Sequence, residues 1–88
     1  MADGLPANRT ANGFAVNPSN PKIMYVAMRD GIFRSENEGE AWTRAVNGPK
    51  NVAAVTVNPK KPSELYASTV EGKIFRSNDG GNRWEEVR

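Results

Sequence analysis

Two arginines, Arg34 and Arg76, each stand directly before a serine and a short turn that carries Asn37 in one case and Asp79 in the other. Arginines could clamp a carboxylate, and Asp79 could serve as a catalytic carboxylate or a calcium ligand. Glu85-Glu86 forms an adjacent acid pair, and Glu36, Glu38 and Glu40 surround the first turn. The chemistry these residues could do is limited by what they lack. Glycoside hydrolysis needs two carboxylates about 5–10 Å apart, whereas neighbours on a strand point to opposite faces. A calcium loop needs several convergent oxygens, and each turn offers one side-chain carboxylate or amide at its centre. There is no histidine and no cysteine, which removes the commonest general base and the commonest metal ligands together. The sequence predicts no catalytic residue, no metal site and no cofactor. Arg34 and Arg76 read as structural or rim residues.

Composition narrows the classes further. The net charge is +2, with both signs interspersed along the chain. No basic stripe marks a nucleic-acid footprint. No apolar run approaches the about 18 residues of a membrane-crossing helix, and residues 1–13 lack the apolar core of a signal peptide. The expectation is a soluble chain without nucleic-acid or membrane partners, its compartment left open. Without cysteine no disulfide can staple a small domain, and 88 residues bury only a modest core.

The element that positions these residues is a repeat. Val16-Asn17-Pro18 returns as Val57-Asn58-Pro59, Pro21 as Pro62, and Tyr25 as Tyr66. Gly31-Ile32-Phe33-Arg34-Ser35 returns as Gly72 and Ile74-Phe75-Arg76-Ser77, and Gly39 and Trp42 return as Gly81 and Trp84. The offset is 41 residues before the inserted Lys73 and 42 after it. A period of about 40–45 residues suits one four-stranded propeller blade. Strands are expected at Phe14–Val16, Ile23–Met28, Ile32–Ser35 and Ala41–Val46. In the second copy they are expected at Val52–Val57, Leu65–Val70, Ile74–Ser77 and Arg83–Val87. Proline-, glycine- and asparagine-rich turns separate them. Consecutive apolar positions, as in Ile23-Met24-Tyr25-Val26, favour sheets covered on both faces over a two-layer sandwich. The predicted fold class is all-β, two four-stranded antiparallel blades. A leader spans 1–13, the first blade 14–46, a linker with the start of the next strand 47–54, and the second blade 55–88.

Ser77-Asn78-Asp79-Gly80-Gly81-Asn82-Arg83-Trp84 resembles the Asp-box, S-x-D-x-G-x-T-W, of the bacterial-neuraminidase-type repeat. Such repeats occur in sialidases, sortilin-type receptors, xyloglucan-degrading hydrolases and photosystem assembly factors. The first copy, Ser35-Glu36-Asn37-Glu38-Gly39-Glu40-Ala41-Trp42, has asparagine for aspartate and alanine for threonine, and a weaker box is expected there. The resemblance implies a propeller whose boxes lie away from the active face. The box itself is a folding device. Its Asp or Asn accepts from amides of its own turn, its glycine lets the hairpin reverse, and its tryptophan buries a large ring. Ser35, Asn37, Gly39, Trp42, Ser77, Asp79, Gly81 and Trp84 are therefore assigned structural roles.

A meander puts the boxes on one face of the molecule with the turns Asn17 to Lys22 and Asn58 to Glu64. The other face offers Arg9, Arg29, Asp30, Lys50, Glu71 and Lys73 as candidate ligand contacts. Two blades cannot close a propeller of about 4–8 blades and are expected to leave two outer sheet faces bare. The chain itself is then the expected partner, three copies giving six blades, or four copies eight. The functional expectation is a non-catalytic, self-assembling structural or protein-interaction module, natural or designed. A small glycan-binding lectin and an inactive piece of a glycoside hydrolase are the alternatives.

Overall fold

The computed structural model describes residues 11–45 and 48–87. Eight strands are present in chain order: β1 (Gly13–Val16), β2 (Met24–Met28), β3 (Gly31–Ser35), β4 (Thr43–Arg44), β5 (Val52–Val57), β6 (Leu65–Thr69), β7 (Ile74–Ser77) and β8 (Glu85–Val87). They form two antiparallel four-stranded meanders, β1-β2-β3-β4 and β5-β6-β7-β8. The β-branched and aromatic runs became strands, and the Asn-Pro segments between them became turns. In each turn the asparagine caps its own backbone. The Asn17 Oδ1 accepts from Ser19 N at 2.8 Å, and the Asn58 Oδ1 accepts from Lys60 N at 3.0 Å.

The fourth strand of each sheet begins two residues later than its sequence suggests, at Thr43 and Glu85. The cause is competition for amides. Ala41 N donates to the Asn37 side chain and Arg83 N to that of Asp79, so these amides are unavailable to a ladder. β2 begins after Ile23 for a related reason, since Ile23 N is engaged in the preceding turn by Asn20 O at 3.0 Å. Past the end of β6, Val70 N still donates to Asn51 O at 2.9 Å, one residue beyond the Val52↔Thr69 pair of the β5–β6 register.

Alternation along the paired strands gives each sheet two distinct faces. In the first, the register Ala15↔Tyr25↔Arg34 and Ala27↔Ile32 defines the face that meets the second sheet. Tyr25, Ala27 and Ile32 pack there with Val52, Val55, Leu65, Ala67 and Trp84 in a single cluster. The sheets approach most closely at their first strands. A Cβ built on Gly13 would lie 3.0 Å from Ala54 Cα, closer than ordinary contact. A register shift between Val52 and Ala54 marks the same stretch of β5. Polar ties add to the seam: Asn12 Nδ2 donates to Val52 O at 3.1 Å, and Asn51 N donates to Arg29 O at 2.9 Å.

The two outer faces differ, which corrects the expectation of two bare ones. On the first sheet Val26, Met28 and Phe33 are buried in a second cluster with Trp42. Val26 and Met28 stand where the other copy has Ala67 and Thr69, and these larger aliphatic groups cluster with the Phe33 and Trp42 rings. Phe14 remains 57% exposed beside them. On the second sheet Ala54, Thr56, Tyr66, Ser68 and Ile74 share one open face, following the register Ala54↔Ser68↔Ile74 and Thr56↔Tyr66. A shallow depression of about 240 Å³ runs along it, and Ile74 is 41% exposed.

Candidate functional site

The two turns that follow β3 and β7 have nearly the same hydrogen-bond circuit. In the second, Ser77 Oγ donates to Asp79 Oδ1 at 2.9 Å and accepts from Gly81 N at 2.9 Å. Asp79 Oδ1 also accepts from Arg83 N at 2.8 Å, and Trp84 Nε1 donates to Gly81 O at 3.0 Å. In the first, Ser35 Oγ donates to Asn37 Oδ1 at 2.9 Å and accepts from Gly39 N at 2.9 Å. Asn37 Oδ1 accepts from Ala41 N at 3.0 Å, and Trp42 Nε1 donates to Gly39 O at 3.0 Å. Asparagine thus makes every bond that aspartate makes, because the circuit uses one side-chain oxygen only as an acceptor. The difference lies in charge. The Arg83 amide holds the Asp79 carboxyl below its ordinary pKa against the opposing effect of desolvation, with the Ser77 hydroxyl adding to the lowering.

Backbone shape completes each box. Gly39 and Gly81 take φ of 88° and 94°, in the left-handed region where a side chain is strained. The residue before each is Glu38 at 63° and Gly80 at 74°. Glu38 N donates to Lys22 O at 3.0 Å and Gly80 N to Ser63 O at 2.9 Å, so each box is tied to the Asn-Pro turn beside it. Trp84 is 5% exposed in the seam, and Trp42 is half-buried in the outer cluster.

The box of the second sheet is also an inter-sheet lock. Tyr25 Oη donates to Gly80 O at 2.9 Å, and the Tyr25 ring lies where a Cβ on Gly81 would stand, 2.9 Å from it. Only glycine fits under that ring. The sequence marked Tyr25 as a repeated residue of an apolar strand, without showing its role as a tie. The signal was its recurrence with the box, two elements whose spacing is kept together.

Arg34 and Arg76, equivalent in the repeat, have different partners. Arg76 Nε and Nη2 both reach Glu64 Oε2, at 3.0 and 2.7 Å, while Asn58 Nδ2 donates to Glu64 Oε1 at 2.7 Å. The Asn58 amide first, and then Arg76, hold the Glu64 carboxyl below its ordinary pKa. Arg34 instead pairs through Nη1 with Glu36 of its own box. The exchange tracks two differences between the copies: Ile23 stands where the second copy has Glu64, and Asn78 where the first has Glu36. Burial opposes the Arg34 charge, but the Tyr25 hydroxyl and Glu36 outweigh it and raise its pKa. Arg34 Nε is buried without a hydrogen-bond partner among the described residues. A cleft of about 400 Å³ opens beside it between the two boxes, with Glu36, Asn37, Thr43, Arg44 and Asn82 in its walls.

At the opposite end, Lys50, Glu71 and Lys73 line a depression of about 200 Å³, and Asn51 Nδ2 donates to Glu71 Oε2 at 3.2 Å. Arg29 is exposed and Asp30 half-buried, and neither belongs to that depression. Arg9 lies outside the described residues. Among the described residues, no group of three or more aspartates and glutamates is placed to hold a metal ion, and no helix is long and apolar enough to cross a membrane.

No family model matches the chain. A probable oligoxyloglucan-reducing end-specific xyloglucanase of Neosartorya fischeri is 26% identical over 83% of the chain, which spans 10% of that enzyme. Among solved structures, an ancestral GH74 enzyme superposes with a TM-score of 0.85 at 19% identity, covering 99% of this chain and 13% of its own. YCF48 from Cyanidioschyzon merolae gives 0.76 at 17% identity, covering 100% of this chain and 26% of its own. The chain therefore spans about a tenth to a quarter of the proteins it matches. Eight strands, two repeated boxes and these neighbours agree that the chain is a pair of β-propeller blades of the Asp-box type, similar to those of GH74 xyloglucanases and YCF48.

Proposed function

We propose that the chain is a non-catalytic structural and interaction module, a blade pair that offers one open sheet face to further blades. One observation carries this reading: one seam between blades is complete, while the equivalent face of the second blade is uncovered. The strands that meet at the seam, β1 and β5, carry no carboxylate, and the boxes spend their polar groups on their own backbone. Both features support a scaffolding role over hydrolysis. The xyloglucanase relatives are far longer, so an active site assembled from several blades would lie mostly beyond these residues.

The same face bears on association of copies. Three copies would supply six blades and four would supply eight. The buried Val26, Met28 and Phe33 weigh against a head-to-tail ring, which needs both outer faces free. Light scattering at micromolar concentration tests ring closure directly, since a folded monomer removes it. Incubation with xyloglucan tests the scaffolding role. No reducing ends are expected to form, and turnover abolished by changing one acid would overturn the non-catalytic reading.

A further inference from the structure

The two faces of the seam are related by the repeat, so the complete seam is a template for the open face. Gly13, Ala15, Tyr25, Ala27 and Ile32 of the first blade correspond to Ala54, Thr56, Tyr66, Ser68 and Ile74 of the second. The register places both sets alike, with Tyr25 opposite Arg34 and Tyr66 opposite Arg76. Tyr25 is fully buried, its hydroxyl on Gly80 O and its ring over Gly81. Tyr66 is half-buried and lines the open depression with Ile74. An aromatic ring with a hydroxyl, standing on an apolar sheet face, needs a cover and an acceptor.

Resting on the reading of the chain as a blade pair, we propose that Tyr66 is a docking residue, and that the open face of the second blade seats a further Asp-box blade. The chemistry of the occupant is specified by the template. It must present a box turn with a glycine in the left-handed region, so that the ring can lie over it without a Cβ between them. The carbonyl of the residue before that glycine must be free to accept from Tyr66 Oη. An aliphatic strand pair, equivalent to Val55 and Ala67, must cover Ile74 and the side chains of β5 and β6. Thr56 and Ser68 stand where the complete seam has alanines, so this face tolerates water before it is covered. That difference suits a surface that forms first and is docked later.

The probe is a concatemer in which residues 47–88 are repeated once after Arg88, which stands where Val46 does in the first copy, and so brings the same box that sits on Tyr25 to Tyr66. Thermal unfolding is measured for the 88-residue chain and the concatemer, each with Tyr25→Phe and Tyr66→Phe. Tyr25→Phe is expected to lower the midpoint in both. Tyr66→Phe is expected to shift the 88-residue chain by less than about 1 °C and to lower the concatemer by about 2–5 °C, the effect of one buried hydrogen bond. Phenylalanine keeps the ring, so folding itself is not at risk. Three outcomes overturn the proposal: Tyr66→Phe silent in both chains; a third blade that melts separately from the first two; or a two-copy mass for the 88-residue chain abolished by Tyr66→Phe, which would mean that open faces pair with each other. The non-catalytic reading fails separately, on xyloglucan turnover.

Discussion

The hydroxyl of Tyr25 donates to the carbonyl of Gly80 at 2.9 Å, joining residues 55 apart in sequence and on different sheets. The same tyrosine ring occupies the space above Gly81. A single side chain thus couples the fold of one blade to the turn of the next. Tyr25→Phe leaves the ring and removes the bond, and is expected to cost about 1–3 kcal/mol because the carbonyl loses its partner in a covered place. Gly81→Ala should cost more, since it meets both the ring and a positive φ. Chemical denaturation of both variants checks the order. A Gly81→Ala chain as stable as the parent would contradict the packing.

The tryptophans should differ. Trp84 is in the seam, at 5% exposure, and Trp84→Ala is expected to cost about 3–5 kcal/mol. Trp42 is half-buried, so Trp42→Ala should cost less. Fluorescence unfolding curves of the two single variants test this, and equal losses would count against the asymmetry of the outer faces.

Acid should weaken the second box before the first. The folded-state pKa of Asp79 is depressed, so its contribution is present above the unfolded carboxylate pKa. It is lost as pH falls through the depressed value. Glu64, depressed by Asn58 and Arg76, acts in the same direction. Asp79→Asn should keep the circuit, as Asn37 does, and flatten the loss of stability below about pH 4. Asn37→Asp should steepen it while leaving neutral stability equal or slightly higher. Melting midpoints between pH 2 and 7 distinguish the two, and parallel profiles for both variants and the parent would refute the assignment.

Glu38 holds φ 63° where the second box has Gly80 at 74°. A left-handed conformation costs a non-glycine residue about 1–2 kcal/mol, offset in part by the greater freedom glycine has when unfolded. Glu38→Gly is therefore expected to stabilise by about 0.5 kcal/mol. A lower melting midpoint would show that the glutamate side chain contributes something its exposed position does not suggest.

Much of this architecture was legible in twelve repeated residues. Asn17-Pro18 and Asn58-Pro59 fixed the turns, the box serines and tryptophans fixed the hairpins, and strand positions followed to within two or three residues. Strand ends at Ala41 and Arg83 were misjudged because a side-chain acceptor took their amides, a competition invisible to hydrophobic patterning. The partners of Arg34 and Arg76 were also hidden, since each depends on an acid that the other copy lacks. The burial of Val26, Met28 and Phe33 could not be read from the repeat. The pattern says which faces are apolar but not which are already covered.

The close approach of Gly13 to Ala54 has a geometric consequence. Where the first strands of the two sheets meet, the absence of one methyl group lets the backbones converge to within ordinary contact distance. The wedge between the blades, and with it the curvature of any arc they begin, is set at that point. The second blade carries Ala54 at the position equivalent to Gly13. A neighbour seated there would be held further out at its inner edge, so the arc would bend less sharply at its second joint than at its first.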